Sequence, residues 1–475
     1  MTRINTNIQN LIAKRTLDAN NSSLTTALNR LSTGLRINTG KDDPAGLIAS
    51  EGLRASKVAI TAAIDNARRA DNVVGIAEAG LQEIATLLLE LEDLVDRSAN
   101  EAGLSDAERD ANQLQIDSIL SSINRIAGVT AFNGENLLDG NYDFTTSAVN
   151  TAQITSLQVN SAKIPDGSYR TVTVQVLASA QAAEVIGAGT GAAGALASAT
   201  TLEVRGVYGT DVLSFGSGTT LADIATAVNG SQDLTGVKAT ASSSGDLYFN
   251  STGYGSEALV EVSVIGNTGD FTFTGQSMDY GVDPTVTING ANATARGLEA
   301  AVISGTISLE LILEENFAQT TGTAATFYIT GGGAQFAISP ELGLIGRETI
   351  GIGSVSTSSL GNGSVGFLST LTRGAVNDIH SRNFHQAQRI VREAQDQISS
   401  LRGRIGAFQK DTLQTTVNSL LVAYENTAAA ESAIRDTDFA VETSALTRAQ
   451  ILVQSNLASL KLANQLPQNA LSLLG

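Results

Sequence analysis

Two groups of residues in this sequence have types and spacings that could support chemistry. Gly189, Gly191 and Gly194 match the G-x-G-x-x-G pattern that cradles a dinucleotide pyrophosphate. That role needs a strand before the glycines, a helix after them and an acidic residue about 20 positions on. Here the match lies in an Ala/Gly-rich stretch, so we predict no nucleotide site. His380 and His385 are five residues apart with no carboxylate between them, so they do not form an H-E-x-x-H zinc motif.

The composition excludes further classes of site. The 475 residues include 47 acidic and 29 basic side chains, for a net charge of −18, with two His and no Cys. Without Cys there is no disulfide, no thiolate nucleophile and no Cys-ligated zinc. The negative charge argues against binding to nucleic acid. No carboxylate pair is marked by the sequence, and solvated surface charge explains the acidic residues more simply. We therefore predict no enzyme activity, no metal and no cofactor.

The sequence also carries no sign of a membrane segment. No uninterrupted apolar run reaches roughly 18 residues, so we expect no membrane insertion. The first residues, "MTRINTNIQNLIAKRTLDANN", lack the apolar region and small-residue cleavage site of a signal peptide.

The charge is unevenly distributed along the chain. Residues 141–345 hold 18 acidic and 5 basic side chains, whereas the two ends together hold 29 acidic and 24 basic ones. The middle is also rich in Gly, Ser and Thr and alternates like β-strands, for example at 169–177. Residues 201–265 read as a compact ββαββ-like unit, with a helix at "TTLADIATAVNG" capped by Thr219 or Thr220. The fold class is therefore α + β, with helical ends and an inserted, mainly β middle.

The ends carry narrow apolar stripes at heptad spacing. Asp43 and Pro44 predict the start of a long helix, and Ser105 and Glu108 predict a capping box for the next one. At the C-terminal end, Pro467 is expected to break the last helical pattern. The stripe residues are Leu24, Leu28, Leu31 and Leu35, then Leu81, Ile84, Leu88, Leu91 and Val95, then Ile116 and Ile123, then Ile398, Leu401, Ile405 and Phe408, and finally Val453, Leu457 and Leu460.

A narrow stripe requires partner helices to bury it. One interpretation is an intramolecular helical bundle that carries the β middle as an insertion. The other is that the terminal segments 1–35 and 440–475 pack against other copies of the chain. Periodicity does not separate the two. The Asn, Ser and Thr residues mixed into the first segment make it a marginal helix alone, which favours folding on association.

Several segments, in order, resemble bacterial flagellins. They are "RLSTGLRINTGKDDPAGLIAS" (30–50), "INRIAGVTAFNGENLLDG" (123–140), "FAISPELGLIGRETIGIGSVSTSSLG" (336–361), "SSLRGRIGAFQ" (399–409), "AESAIRDTDFAVE" (430–442) and "QILVQSNLASLKLANQLPQNALSLL" (450–474). The unit at 201–265 resembles a repeat inserted in flagellins and hook-associated proteins. Residues 145–200 and 266–335 match no family motif that we can name.

The resemblance implies a filament subunit exported without a cleaved signal peptide and located in the extracellular flagellum. It divides the chain into 1–43 (inner-core helix and connector), 44–140 and 366–438 (two parts of a helical coiled-coil domain), 141–365 (outer β region) and 439–475 (inner-core helix). The first and last stripes would contact neighbouring subunits, and the others would form the intradomain coiled coil. Implied partners are the chain itself, an export chaperone at about 440–475, and hook-associated and cap proteins.

One departure from the family concerns an immune receptor that recognises flagellins. The resemblance implies an Arg and a Glu at the recognised positions, whereas this sequence has Glu90 and Gln115. A reversed charge costs affinity at a complementary interface, so we expect weak receptor activation.

Other functions compatible with the sequence are a hook–filament junction protein and a flagellin-like adhesin. The full N-terminal signature and the "NQLPQNALSLL" ending favour the main filament subunit over the first. Binding of a glycan by the middle region would favour the second. A flagellin with an embedded hydrolase comes last, because the sequence lacks His motifs.

Overall fold

The computed structural model describes residues 7–100, 103–165, 167–191, 195–266 and 271–472, and the side chains of 466–472 are not considered. The chain divides into two compact units. The first comprises Met1–Arg68, Ile338–Glu341 and Leu413–Gly475, and the second comprises Arg69–Ala337 and Leu342–Thr412.

The helical ends and β-rich middle confirm the predicted fold class. The helices are α1 (Ile8–Thr33), α2 (Pro44–Ser98), α3 (Asp106–Val129), α4 (Leu221–Gly230), α5 (Gln232–Thr235), α6 (Glu315–Gln319), α7 (Phe384–Ala407), α8 (Thr415–Arg435) and α9 (Phe439–Ser472). The strands are β1 (Ala131–Phe132), β2 (Glu135–Asn136), β3 (Phe144–Ser147), β4 (Ile154–Ala162), β5 (Arg170–Ala178), β6 (Ala182–Gly189), β7 (Thr200–Gly206), β8 (Thr210–Phe215), β9 (Val237–Ala241), β10 (Leu247–Tyr254), β11 (Leu259–Ile265), β12 (Phe271–Phe273), β13 (Met278–Tyr280), β14 (Thr285–Ile288), β15 (Ala291–Asn292), β16 (Thr294–Arg296), β17 (Glu299–Ile303), β18 (Ile307–Leu313), β19 (Ala324–Gly332), β20 (Ala334–Ala337), β21 (Arg347–Ile350), β22 (Gly361–Asn362) and β23 (Gly366–Phe367).

The helix boundaries follow from local capping chemistry. α2 begins at Pro44, whose missing N–H is not needed there, and Asp43 Oδ1 accepts a hydrogen bond from Gly46 N at 2.9 Å. Ser105 and Glu108 form the capping box that the sequence predicts for α3. The prediction that Pro467 breaks the last helix is wrong, because α9 continues through it to Ser472. α7 passes into α8 through a π-helical turn at Phe408–Gln414.

We call the helical core of the second unit the trunk. It is built by α3, α7 and the part of α2 from Arg69 onward. In the trunk Leu81, Ile84, Leu88, Leu91 and Val95 of α2 are buried together with Ile116 and Ile123 of α3 and Ile398, Leu401 and Ile405 of α7, and Phe408 packs against this core while partly exposed. The sequence-distant ends of the chain therefore share one hydrophobic core.

A buried polar residue ties α3 to the C-terminal half of the trunk. Gln113 is fully buried, and its Nε2 donates to Leu371 O at 2.9 Å and to Asp117 Oδ1 at 3.0 Å. Its Oε1 accepts from Ile379 N at 3.0 Å. A buried amide with satisfied donors and acceptor fixes one arrangement of the segments around it.

The middle of the chain contains two β bodies, each with its own core. In the first body a five-stranded sheet (β15-β14-β5-β19-β3) and a four-stranded sheet (β16-β17-β18-β4) share a core that includes Val172, Val174, Leu309 and Phe327. The second body contains the sheets β12-β6-β10-β9 and β13-β11-β7-β8, whose core includes Val204, Phe249 and Val262. α4 lies on this core and is capped by Thr220, one of the two residues that the sequence indicates.

Candidate subunit interface

The signature stretch 30–50 forms a connector between α1 and α2. Gly34 ends α1 with a φ of 72°, a left-handed conformation that glycine adopts without strain. Asp42 Oδ2 accepts hydrogen bonds from Asn38 N at 3.1 Å, Thr39 N at 2.8 Å and Thr39 Oγ1 at 3.0 Å. These bonds lower the pKa of Asp42, with the Thr39 backbone contributing most. The polar residues of this signature therefore hold a tight turn.

The connector is tied to the junction between α8 and α9. Arg36 N donates to Arg435 O at 2.6 Å, and Arg36 Nη2 donates to Ile434 O at 2.6 Å. Thr437 N donates to Gly34 O at 2.9 Å. Two of these three bonds join backbone to backbone, so they connect the two ends of the sequence without depending on side-chain identity.

From this junction α1 and α9 run antiparallel as a pair. Arg30 Nη1 lies 3.8 Å from Glu442 Oε2 near the junction. At the other end Asn7 Nδ2 donates to Ala463 O at 2.8 Å, and Asn10 contacts Asn464. Proline at position 467 has no N–H to offer to the carbonyl of residue 463 four positions earlier, so Asn7 supplies the missing donor. This accounts for the continuation of α9 through Pro467.

The pair buries small residues and exposes large apolar ones. Ala27, Ala449 and Ala463 are buried, whereas a set of large apolar side chains, here called the terminal apolar surface, is exposed. A groove of about 630 Å³ also opens between the helices, lined in part by Ser23, Ala449 and Leu452. The terminal apolar surface consists of Ile8, Leu11, Ile12 and Leu28 on α1 and Ile451, Leu452, Leu457 and Leu462 on α9. Exposed apolar area of this kind marks a surface for association.

The structure places the predicted stripe residues at two levels of burial. Leu24, Leu31 and Leu35 on α1 and its connector, and Val453 and Leu460 on α9, are half-buried, while Leu28 and Leu457 are exposed. The remaining members of the terminal apolar surface are absent from the heptad stripe. The sequence signal for part of this surface is the apolar group Ile8, Leu11 and Ile12, which precedes the first stripe.

Several hydroxyl groups within α1 bond back to their own helix. Thr16, Ser23, Thr25, Thr26 and Thr33 each donate to the carbonyl four residues earlier, at 2.8–3.1 Å. Such bonds compete with regular helix geometry and slightly destabilise a helix. α1 therefore depends on packing for its stability.

Charged pairs connect the first part of α2 with α8. Lys57 Nζ lies 2.7 Å from Glu431 Oε2, and Arg54 and Arg435 both approach Glu51, at 2.8 and 3.1 Å. The hydrogen bond from Arg54 lowers the pKa of Glu51, and the hydrogen bond to Glu431 raises the pKa of Lys57. A carboxylate with a lowered pKa stabilises the folded chain, and this stabilisation is lost as the pH falls through that pKa. An amine with a raised pKa also stabilises the folded chain, and that stabilisation is lost as the pH rises through the raised pKa. These pairs therefore act across the neutral range.

The residues singled out for chemistry are not arranged for it. Gly189 ends β6, and among the described residues the next regular element is the strand β7 instead of the helix that a nucleotide site needs. Gly194 lies outside the described residues. His380 is exposed and its Nε2 lies 3.2 Å from Asp110 Oδ1. Within the described ranges, no group of three or more His, Cys, Asp or Glu side chains could hold a metal ion.

Comparison with known proteins identifies the family. The bacterial flagellin N-terminal helical region matches residues 4–143, and the C-terminal helical region matches residues 389–474. The B-type flagellin of Pseudomonas aeruginosa is 32% identical over 508 aligned positions that cover 99% of each chain. The chain belongs to the flagellin family.

Other flagellins align along the whole length as well. Flagellin of Salmonella typhimurium is 29% identical and flagellin D of Vibrio anguillarum is 25% identical, each with 99% of both chains covered. The flagellin hook IN motif matches residues 201–253, which lie in the second β body. This flagellin is therefore a structural subunit of the extracellular bacterial flagellar filament, which serves motility, and it is not an enzyme.

One helix of this flagellin meets a compositional test for a membrane span. Among the described residues, α2 contains an 18-residue stretch with a mean hydropathy of 1.2, sufficient by length and composition alone. This stretch meets the test by its average hydropathy and is not an uninterrupted apolar run. Leu81, Ile84 and Leu88 of α2 are buried in the trunk, so these apolar side chains have protein partners.

Proposed function

We propose that this flagellin polymerises through its paired terminal helices, with segments 1–35 and 440–475 packing against neighbouring copies in the filament. The observation that carries the proposal is the inverted burial of the α1–α9 pair, which covers alanines and exposes the terminal apolar surface. Residues 1–6 and 473–475 of these segments lie outside the described residues. Predicted contact residues are Leu24, Leu28, Leu31, Leu35, Val453, Leu457 and Leu460.

The terminal segments order when they associate. Burial of a leucine side chain contributes roughly 1.5–3 kcal/mol, whereas ordering the backbone costs about 1–2 kcal/mol per residue. An isolated α1–α9 pair that leaves its largest apolar side chains in water recovers little of that cost. Lateral contacts with several copies supply the remaining burial.

The proposed interface also implies which segments lie inside the filament and which face the medium. Residues 1–43 and 439–475 form the inner core, 44–140 and 366–438 form the coiled-coil domain around it, and 141–365 faces the medium. The acidic excess in 141–345 supports an exterior position, because like charges repel at a dense self-contact. A head-to-tail contact that does not close into a ring generates a helical polymer.

Charged substitutions on the terminal apolar surface test the interface. Leu11→Asp and Ile451→Asp are each expected to reduce seeded filament growth at least about tenfold, because a carboxylate is costly to bury in an apolar contact. Both side chains are 60% exposed, so the monomer should keep its thermal transition. Elongation from sheared seeds is followed by electron microscopy and light scattering.

The matched control is Val212→Asp, which changes a 54%-exposed apolar residue in the second β body. It should leave elongation within about twofold of the unsubstituted protein, because exposed substitutions away from an interface have small effects. Normal elongation of both Leu11→Asp and Ile451→Asp would contradict the proposed interface.

The remaining partners follow from the same surface. We propose that an export chaperone covers the exposed apolar residues of α9 before assembly, that export proceeds without a cleaved signal peptide, and that hook-associated and cap proteins contact the two ends of the filament. Support for the chaperone comes from Ile451, Leu452 and Leu462, which are exposed in the single chain. Isothermal titration of a flagellar export chaperone should give binding to the full chain and none to residues 1–438.

Weak immune-receptor activation is proposed from Glu90 and Gln115. Both side chains are exposed on the trunk, on α2 and α3. In a reporter-cell assay we expect Glu90→Arg combined with Gln115→Glu to increase the response at least about tenfold, since a complementary charge replaces a repulsive one. A response of the unsubstituted protein equal to that of a strongly stimulating flagellin would refute this proposal.

A further inference from the structure

The packing of α1 against α9 repeats along its axis. Its buried apolar side chains include Ala27, Ala449 and Ala463, which are short. The larger half-buried side chains are spaced by seven residues, Leu24 and Leu31 on α1 and Val453 and Leu460 on α9. A helix pair is held at one axial position when large side chains insert into matching holes, but alanine provides no such knob and side chains seven residues apart offer equivalent ones. A seven-residue slip returns the same stripe to the seam and moves one helix about 10.5 Å along the other. The apolar seam alone therefore does not select one register.

A charged pair interrupts this seam next to the junction. Glu442 is 8% exposed, and its Oε2 lies 3.8 Å from Arg30 Nη1. Arg30 Nε is buried without a hydrogen-bond partner among the described residues, although the Arg30 side chain as a whole is 30% exposed. Any register that separates the pair would leave a buried charge without its partner, which is strongly unfavourable.

Each of the two charges also has the sign that is favoured at its own helix end. Arg30 lies in the last turn of α1 and Glu442 in the first turn of α9. A cation is favoured at a helix C-terminus and an anion at an N-terminus, because of the partial charges there. The two helix ends therefore favour the same pairing as the direct attraction between the side chains.

We infer that the Arg30–Glu442 pair helps to set the axial register of α1 against α9, and thereby positions the terminal apolar surface for assembly. It acts beside the backbone bonds of the junction, from Arg36 N to Arg435 O and from Thr437 N to Gly34 O. That surface is composite, since Ile8 and Leu11 on α1 and Leu462 on α9 lie near the same end of the pair, where Asn7 contacts Ala463. A seven-residue slip would separate these contributions. The pair acts as a positioning element, and the inference rests on the proposed function of the terminal helices.

The register can be read directly by cross-linking, because the chain contains no cysteine. Ser23 and Ala449 line the same groove, so Ser23→Cys with Ala449→Cys reports the native register. Ser23→Cys with Asn456→Cys, seven residues further along α9, reports the slipped register. The measured quantity is the yield of the intramolecular disulfide in seeded filaments. The cross-linked chain keeps the mass of a monomer and is separated from the reduced chain on denaturing gels.

We expect the native reporter to dominate in the parent protein, and the yield of the slipped reporter relative to the native one to rise with Glu442→Gln or Arg30→Gln, while the backbone bonds of the junction remain. Seeded growth of these variants should fall about tenfold. The exchange Arg30→Glu with Glu442→Arg should restore part of both readouts, and only part, because each charge then opposes its helix end. Arg15→Gln on α1 and Lys461→Gln on α9 remove exposed charges and should leave the reporter ratio unchanged.

The outcomes separate this inference from the proposed function. An unchanged reporter ratio in Glu442→Gln and Arg30→Gln filaments would overturn the inference, even if growth were slower, because the pair would then contribute stability alone. An exchange variant no better than the worse single variant would also overturn it. If the parent protein failed to elongate seeds at all, the proposed function itself would fail.

Discussion

Deletion of residues 440–475 is expected to abolish filament formation and to leave a folded, monomeric trunk with both β bodies. The cores of the trunk and the β bodies contain no residue from this segment, so their packing does not require it. α1 loses its antiparallel partner, and its back-bonded hydroxyls leave it marginal alone. The chain therefore loses the helix pair and the α9 half of the terminal apolar surface at once.

Three measurements check this prediction. Electron microscopy of a seeded reaction should show no filaments, sedimentation should show a monomer, and circular dichroism should show a loss of helix with an unchanged thermal transition for the trunk. The full-length chain carrying Val212→Asp serves as an assembling control. Filaments formed by the truncated chain would contradict the proposed interface.

The second large effect is expected in the trunk, from Leu88→Ala. Leu88 is 0% exposed within the core shared by α2, α3 and α7, so truncation leaves a cavity among large apolar side chains. Substitutions of this kind cost about 2–5 kcal/mol in free energy of unfolding. Urea denaturation followed by circular dichroism measures the change.

The adjacent residue gives a matched control. Leu89 follows Leu88 in the same helix and has the same side chain, yet it is 62% exposed. Leu89→Ala should change the free energy of unfolding by less than about 0.5 kcal/mol, since alanine is a good helix former and no cavity results. Equal destabilisation by the two substitutions would show that this face of α2 is not the one buried in the trunk.

The trunk core consists of large side chains repeated at helical spacing, which is the pattern that sequence periodicity detects. Ile84, Ile123 and Ile398 each lie in a stripe, and each is buried in the trunk core. The same pattern selects the largest apolar residues, so it does not mark the buried positions between α1 and α9. There the buried positions include Ala27, Ala449 and Glu442, and large apolar side chains remain outside. Pattern alone does not distinguish an apolar residue that is buried in its own chain from one that another chain must cover.

The β bodies were predicted as a class but not as topologies. Residues 201–265 are predicted as a ββαββ-like unit, and the two strands before its helix, β7 and β8, pair antiparallel. By contrast, β6 lies in an Ala/Gly-rich stretch that reads as low complexity, and it pairs with β10 and β12 far along the chain. Likewise β4 pairs with β18. Such pairings depend on contacts between distant segments, which local spacing does not encode.

The pairing of β3 with β19 has a kinetic consequence for the trunk. Phe144 lies opposite Gly332, and Gly333 N donates to Asp143 O at 3.1 Å, so the two ends of the inserted region meet. Without that contact, bringing α3 to α7 would require closure of a loop of more than 200 residues, and long-range contacts of this kind slow folding. Once the inserted region has folded on its own cores, the contact between β3 and β19 holds the two ends of that region close together. Gln113 then needs only a local search to meet Leu371 and Ile379, so the insertion lowers the entropic barrier to forming the helical trunk from which it emerges.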